Sequence, residues 1–165
     1  MSLNLVLLRH AQAVPKDPIW PDHERRLTAR GRRQARCVGN YLRSVGLIPE
    51  LVISSTARRA RATARRVIRR LPKPRPLRLL FPELYQADPQ RTLDVLRCVP
   101  GSPTSLLVVG HNPCWDELAS AIVHQTVTLP TAGLAWIVLP IDQWTELNLD
   151  VSGKLERLWS PEESC

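Results

Sequence analysis

Two histidines in this sequence stand where a catalytic residue could lie. His10 follows Arg9 directly after the apolar run 3–8 (LNLVLL), and His111 comes soon after the apolar run 105–109 (SLLVV). A neutral imidazole can attack phosphorus, and the planar guanidinium group of arginine binds two phosphate oxygens at once while staying charged at physiological pH. These residue types therefore indicate phosphoryl chemistry.

A third group of polar residues follows the apolar run 51–54 (LVIS). Ser55 comes next, and an arginine-rich segment with helical periodicity then covers residues 57–71. Arg59 lies near the start of this predicted helix, where unpaired backbone N–H groups and the helix dipole favour a bound anion. The apolar residues of the helix form one stripe, so most of its other arginines are expected on a solvated face. These are Arg58, Arg61, Arg65, Arg66, Arg69 and Arg70.

Apolar runs alternate with segments of helical periodicity along the whole chain, and a loop with three prolines covers residues 14–24. Strands are predicted over 3–8, 51–54, 77–81, 105–109, 134–139, 144–149 and, at an edge, 154–159; helices are predicted over 31–45, 57–71, 90–98 and 115–124. This order predicts an α/β fold with a mainly parallel sheet, helices on both faces and antiparallel edge strands. We expect a single domain over 1–165 with its chemistry at the carboxyl ends of the strands.

The charge is distributed unevenly along the chain. The net charge is +8, but residues 1–82 hold 19 Lys or Arg against 4 Asp or Glu, and residues 83–165 hold 4 against 11, so the halves carry about +15 and −7. Such an imbalance fits a nucleic-acid surface or an anionic substrate. Aromatic residues are 5% of the chain and are not interleaved with the basic run. Nucleic-acid binding is therefore disfavoured.

The remaining composition argues against a membrane protein and against a cysteine-based site. No window of about 18 apolar residues is present, and the N-terminus has no signal-peptide pattern, so a cytosolic protein is expected. The four cysteines are far apart in sequence and form no Cys-x-x-Cys pair. We therefore expect reduced thiols, with neither a zinc site nor a disulfide framework. The cysteines are Cys37, Cys98, Cys114 and Cys165.

Four motifs in this order resemble the histidine phosphatase superfamily, and more closely its phosphohistidine phosphatase branch of the SixA type. Its usual pattern Ser-Pro-x-x-Arg-Ala-x-Gln-Thr is matched at Ser55, Arg59, Ala60 and Thr63, whereas Thr56 and Ala62 replace the usual Pro and Gln. The motifs are LRHAQA (8–13), RRLTARGRRQA (25–35), SSTARRARAT (54–63) and VVGHNP (108–113).

The resemblance implies a role for each matching residue. His10 would be the nucleophile, Arg9 and Arg59 would hold the phosphate, and His111 would donate to a phosphoryl oxygen. Asn112, in the same motif as His111, is a further candidate for substrate binding. Glu83, which follows the third strand, resembles the family's carboxylate that protonates the leaving group. Asp88 and Asp17 are alternatives for that last role.

These residues predict a phosphatase that works through a phosphohistidine enzyme intermediate, with no metal and no organic cofactor. The resemblance favours phosphohistidine in a signalling or phosphotransfer protein as the substrate, because a chain of this length has no room for a large insertion over the pocket. A small phosphate ester is the alternative substrate. An inactive phosphatase fold that binds nucleic acid is a third and weaker reading.

The arginines themselves suggest a hypothesis about partners. Residues 25–36 and 58–70 together hold 13 of the 20 arginines. Part of this surface could meet an acidic partner around its phosphorylated residue. Alternatively, the arginines pair with the acidic carboxyl-terminal half or keep the helix soluble.

Overall fold

A six-stranded sheet in the order β3-β2-β4-β1-β5-β6 runs through the computed structural model, which describes residues 1–162 and 165. β1 to β4 are parallel neighbours, and β5 and β6 are antiparallel additions at one edge. The predicted fold class is confirmed. The strands are β1 (Leu3–Arg9), β2 (Leu51–Ser55), β3 (Leu77–Phe81), β4 (Ser105–Gly110), β5 (Leu134–Leu139) and β6 (Lys154–Trp159); the helices are α1 (Ala29–Ser44), α2 (Arg58–Arg70), α3 (Pro89–Arg97) and α4 (Cys114–Val123).

The central strands are apolar throughout because helices cover both faces of the sheet. Along β1, Leu5 and Leu7 belong to one core cluster, whereas Val6 and Leu8 belong to the other. The first cluster also takes in residues of α3 and α4, and the second takes in residues of α1 and α2. No helix within residues 1–162 is long and apolar enough to cross a membrane.

The helices begin where the sequence provides caps. The Thr28 hydroxyl accepts the Gly31 N–H at 2.9 Å to start α1, and the Asp88 carboxylate accepts the Arg91 N–H at 2.8 Å to start α3. Each of these bonds satisfies a backbone donor that the first helical turn leaves unpaired.

The carboxyl ends of three neighbouring strands bring the predicted site residues together. β2, β4 and β1 are adjacent, and their carboxyl ends are Ser55, Gly110 and Arg9. The His10 N–H donates to the Gly110 carbonyl at 3.0 Å, which continues the pairing of β1 with β4 by one residue. Residues that follow these strands therefore meet at the carboxyl ends of the strands, as expected for a parallel sheet.

The predicted strand over 144–149 is wrong. Trp144–Glu146 is a short 3-10 helix, and β6 pairs directly with β5. Trp144 and Leu147, three residues apart, are both buried in the α3 and α4 core, which is a helical and not an alternating pattern. The Trp144 indole N–H also donates to the Pro103 carbonyl at 2.7 Å and fixes this turn.

The expectation of four reduced thiols is also wrong, because Cys37 of α1 and Cys165 form a disulfide. Their Cα atoms lie 6.1 Å apart although 128 residues separate them in sequence. Spacing along the chain carries no information about such a contact, since the fold alone returns the end of the chain to α1. Cys98 and Cys114 are free thiols.

Candidate active site

A cavity of about 550 Å³ lies where β1 and β4 end. It brings together five of the predicted site residues and several that the sequence did not single out. The predicted residues that line it are Arg9, His10, Arg59, His111 and Asn112; others are Gln12, Lys16, Asp22, Arg25, Tyr85, Cys114 and Thr131.

The His10 ring is held in one tautomer. Its Nδ1 lies 2.8 Å from the Ala11 carbonyl oxygen, which can only accept, so Nδ1 carries the proton. Nε2 is then free of a proton and accepts from Arg59 Nε at 3.2 Å. Burial, together with the charges of Arg59 and Arg9, lowers the pKa of His10 to about 4. His10 is therefore neutral at pH 7, with the lone pair on Nε2.

Thr63 connects the backbone beside His10 to α2. Its buried hydroxyl accepts the Ala11 N–H at 3.0 Å and donates to the Arg59 carbonyl at 2.7 Å. Both backbone polar groups of Ala11 are thus hydrogen-bonded, since its carbonyl oxygen accepts from the His10 ring. This arrangement gives a physical reason for threonine at the end of the SSTARRARAT motif.

Arg59 is 6% exposed and lies in the first turn of α2. Besides contacting His10, its guanidinium donates to Asp22, at 2.8 Å to the carbonyl and at 3.1 Å to the carboxylate. A buried arginine with several fixed bonds has little rotational freedom. Its charge is therefore held at one position in the cavity.

Asp22 is a site residue that the sequence reading missed. It begins the short 3-10 helix Asp22–Glu24 inside the proline-rich loop, and its carboxylate accepts from Arg59, from Arg25 at 3.0 Å and from the Tyr85 hydroxyl at 2.7 Å. Burial acts to raise the pKa of Asp22, but the bonds from Tyr85 and Arg25 and the charge of Arg59 outweigh it and hold the pKa well below its usual value. The carboxylate is therefore ionised at neutral pH.

Arg9 and Asn112 share one acceptor. Both donate to the Leu129 carbonyl, at 3.0 Å and 3.1 Å, while the Asn112 side-chain oxygen accepts the Asp116 N–H at 3.3 Å. The Asp116 carboxylate accepts the Leu129 N–H at 2.8 Å and closes the network. Asn112 lines the cavity, and these bonds use its amide to hold the loop that positions Arg9, so its predicted role in substrate binding stays a prediction. Arg9 Nε has no partner among the described residues.

His111 faces His10 across the cavity with ring centroids 5.2 Å apart. Its Nε2 lies 2.8 Å from the Ser55 hydroxyl oxygen, and its Nδ1 has no partner within the described part of the chain. Burial, followed by the neighbouring His10 and Arg59, lowers the pKa of His111 to about 3. The ring is neutral at pH 7, and its Nδ1 remains available for a hydrogen bond to a ligand.

The three carboxylates predicted for proton transfer do not line this cavity. Glu83 is exposed in the 3-10 helix Pro82–Leu84, because that turn directs Leu84 into the core and leaves the Glu83 side chain outside. Asp88 caps α3, and Asp17 lines an adjacent cavity. Of the described carboxylates, Asp22 alone lines this cavity.

Cys114 is the other nucleophile type in the cavity wall. Its thiol lies 3.3 Å from the Thr92 hydroxyl, and burial raises its pKa to about 11. A protonated thiol is a poor nucleophile, so neutral His10 is the better one here. Within residues 1–162 and 165, no group of three or more His, Cys, Asp or Glu side chains is arranged to bind a metal ion.

Comparisons with known proteins identify the family. Residues 5–81 match the family model described as the histidine phosphatase superfamily (branch 1). An uncharacterized protein of Mycobacterium tuberculosis is 34% identical over 152 residues, which cover 86% of this chain and 92% of that protein.

Two solved structures extend the similarity to the whole fold. A candidate phosphohistidine phosphatase SixA from Agrobacterium tumefaciens is 26% identical, with a TM-score of 0.79 over 97% of this chain and 99% of that chain. A second structure described in the same way, from Nakamurella multipartitia, is 25% identical, with a TM-score of 0.82 over 98% and 97%. With its four ordered motifs and the cavity they form, this chain belongs to the histidine phosphatase superfamily and is a phosphatase of SixA-like fold.

Proposed function

We propose that the protein removes phosphate from phosphohistidine in a signalling or phosphotransfer protein, through transient phosphorylation of its own His10. The observation that carries the substrate class is the state of Asp22. It is the carboxylate of the catalytic cavity, and its partners keep it ionised. An ionised carboxylate cannot give a proton to a leaving group.

The first step is attack of His10 Nε2 on the phosphorus atom. The Nε2–P bond forms as the bond from phosphorus to the substrate imidazole breaks. Arg9 and Arg59 provide two fixed positive charges for the phosphoryl oxygens, and His111 offers a further donor. Because these groups supply the charge stabilisation, we propose that the reaction needs no metal ion.

The second step is attack of water on the phosphorylated His10. The Ala11 carbonyl keeps a proton on Nδ1, so the ring departs from phosphorus as neutral imidazole and the enzyme returns to its starting state. Inorganic phosphate is the second product.

The leaving group explains the preference for phosphohistidine. A substrate imidazole that carries a proton on its other nitrogen also leaves as a neutral ring and needs no proton from the enzyme. An alkoxide leaving group from an ester needs that proton, and ionised Asp22 does not supply it. The site therefore suits a P–N bond better than an alkyl P–O bond.

A turnover assay on matched substrates tests this proposal. The wild-type protein, with chelator present, should hydrolyse a phosphohistidine protein with a kcat/KM about 100-fold or more above that for a phosphoserine peptide or a sugar phosphate. Equal or faster ester hydrolysis would assign the protein to small phosphate esters instead. Loss of activity in chelator would overturn metal independence.

Two variants and one control variant test the roles of the site residues. His10→Ala should lose turnover by about 1000-fold or more and form no acid-labile phosphoenzyme, whereas exposed His124→Asn should behave as the wild type. Glu83→Gln should leave both substrate classes within about twofold, since Glu83 lies outside the cavity. A large loss from Glu83→Gln on phosphohistidine would restore Glu83 as the proton donor, and phosphoenzyme in His10→Ala would remove His10 as nucleophile.

A further inference from the structure

A second cavity adjoins the catalytic cavity. Its volume is about 560 Å³, and Lys16 and Arg25 line both cavities. Trp20, Arg26 and Arg58 also line it, together with the carboxylates of Asp17 and Glu24. We call it the Trp20 cavity. A ligand whose phosphoryl group lies beside His10 can therefore extend into the Trp20 cavity without leaving the protein surface.

The loop that forms one wall exposes two large apolar side chains next to each other. Ile19 is 84% exposed and Trp20 is 66% exposed. A single exposed apolar residue is ordinary, but an adjacent pair with a tryptophan at the rim of an active site is typical of an interaction surface.

This loop is held in its shape before any ligand binds. Pro15, Pro18 and Pro21 restrict its backbone, and the Asp17 carboxylate accepts the Ile19 N–H at 2.7 Å. At its base, the Val14 N–H donates to the Arg26 carbonyl at 2.9 Å. Less conformational freedom then remains to be lost on binding, which favours affinity.

The charge of the Trp20 cavity is positive. Lys16, Arg26 and Arg58 are exposed, and none of them forms an ion pair with a carboxylate among the described residues. Its two acidic side chains already have partners: Asp17 holds the Ile19 N–H, and Glu24 pairs with His23 at 3.1 Å. The four Lys and Arg side chains that line the cavity outnumber its two carboxylates. Lys16, Arg26 and Arg58 have no carboxylate within ion-pair distance among the described residues, although Arg58 acts on Glu24 from further away, so they remain available to carboxylates of a ligand.

We propose that the Trp20 cavity binds an acidic segment of the protein substrate, next in sequence to its phosphohistidine. This inference rests on the proposed function. The cations come from the loop, the start of the RRLTARGRRQA motif and the start of α2, so they suit several spaced carboxylates better than one compact phosphate. The apolar pair beside them suits side chains of a protein.

The test compares a phosphohistidine peptide with acidic flanks, the same peptide with neutral flanks, and p-nitrophenyl phosphate. Trp20→Ala and Arg58→Ala should each raise KM for the acidic peptide about tenfold, leave its kcat within about twofold, and leave p-nitrophenyl phosphate hydrolysis unchanged. Leu77→Ala, an exposed apolar residue at the opposite end of the sheet, and Arg70→Ala, at the other end of α2, are the matched controls.

Binding of the unphosphorylated acidic peptide, measured by calorimetry, separates the two proposals. If the wild type binds the peptide through Trp20 but hydrolyses no phosphohistidine, the cavity assignment stands and the proposed function fails. If it hydrolyses phosphohistidine while both variants match the wild type on both peptides, the cavity assignment is overturned. A nucleoside monophosphate is assayed as a further substrate. If the variants impair only the hydrolysis of this substrate, the cavity assignment is likewise overturned, because the ligand of the cavity is then a nucleotide.

Discussion

His10 and His111 are neutral in the folded protein, and this neutrality links stability to pH. Their pKa values are about 4 and about 3, against an ordinary value of 6.5. Below pH 6.5 the unfolded chain therefore takes up protons that the folded chain does not bind. The stability that these two residues contribute is complete above pH 6.5 and is lost as pH falls towards 4 and then 3.

We predict that the free energy of unfolding falls between pH 7.5 and pH 5, by at most about 2 kcal/mol for each of the two histidines. Urea unfolding at the two pH values measures this loss. His10→Gln removes one titrating group, so its loss should be smaller than that of the wild type by about 1 kcal/mol or more. His124→Asn, a change at an exposed histidine, is the control. An equal pH dependence in the wild type and His10→Gln would contradict the linkage.

Helix α1 begins against the segment that follows His10. A Cβ atom at Gly31 would overlap the Gln12 carbonyl oxygen, so only glycine lets the helix approach this closely. The contact is reinforced by the Gln12 N–H, which donates to the Gln34 side chain at 2.9 Å. The first turns of α1 thus brace the backbone on the carboxyl side of His10.

We predict that Gly31→Ala lowers kcat about tenfold or more even at temperatures where the protein is fully folded, because the displaced backbone moves His10. Gly39→Ala is the matched comparison: its Cβ would lie 2.6 Å from Arg70 Cβ, on the same helix but against α2. It should lower the melting temperature with kcat within about twofold. Melting curves and small-ester turnover check both variants. Equal loss of kcat in the two would show that the effect is general destabilisation.

The sequence could predict the sheet and the residues at the carboxyl ends of its parallel strands, because both follow from the pattern of buried apolar residues. Fully apolar runs mark the parallel strands, and the carboxyl ends of such strands must meet, which places His10 near His111. The predicted strand over 144–149 failed because a short apolar segment of ambiguous period can pack either as a strand or as a turn. The Glu146 carboxylate, which accepts the N–H groups of Asp142 and Gln143 at 2.8 Å, favours the turn.

The residues that the sequence could not predict lie in aperiodic segments. Asp22 belongs to the proline-rich loop, and nothing in its neighbours indicates that the loop folds back over α2. Tyr85 and Glu83 both follow β3, and only the geometry of the intervening 3-10 turn determines that Tyr85 lines the cavity. The Cys37–Cys165 disulfide is a contact between distant positions for which the sequence holds no signal.

Over the whole molecule, the charge imbalance along the sequence becomes an imbalance between the two faces of the sheet. α1 and α2, which carry most of the arginines, cover one face, and α3 and α4 cover the other. We define an arginine ridge on the first face, none of whose members pairs with a carboxylate among the described residues. The ridge consists of Arg32 and Arg36 of α1, Arg61, Arg65, Arg66 and Arg69 of α2, and Arg78 of β3.

The ridge arginines repel one another and are not neutralised by the acidic half of the chain. Burial, and then the charges of Arg65, Arg32 and other neighbouring arginines, lower the pKa of Arg66. Among the described residues, the ridge arginines therefore form no ion pairs with the acidic carboxyl-terminal half, which was one of the two alternatives that the sequence left open. The two roles that remain to be distinguished are solubility and attraction of an acidic partner towards the candidate active site, where α2 begins.

A double charge reversal distinguishes these roles. If the ridge attracts an acidic phosphoprotein, Arg65→Glu with Arg69→Glu should lower kcat/KM for that protein about fivefold at low salt, reduce its salt dependence, and leave hydrolysis of a small ester unchanged. Arg91→Glu with Arg157→Glu, which changes the net charge equally but away from the ridge, should have a much smaller effect. Stopped-flow association and turnover at several salt concentrations measure both. If the two double variants behave alike, the effect depends on the net charge of the protein and not on the position of the arginines. The ridge is then a solvated face that keeps the protein soluble.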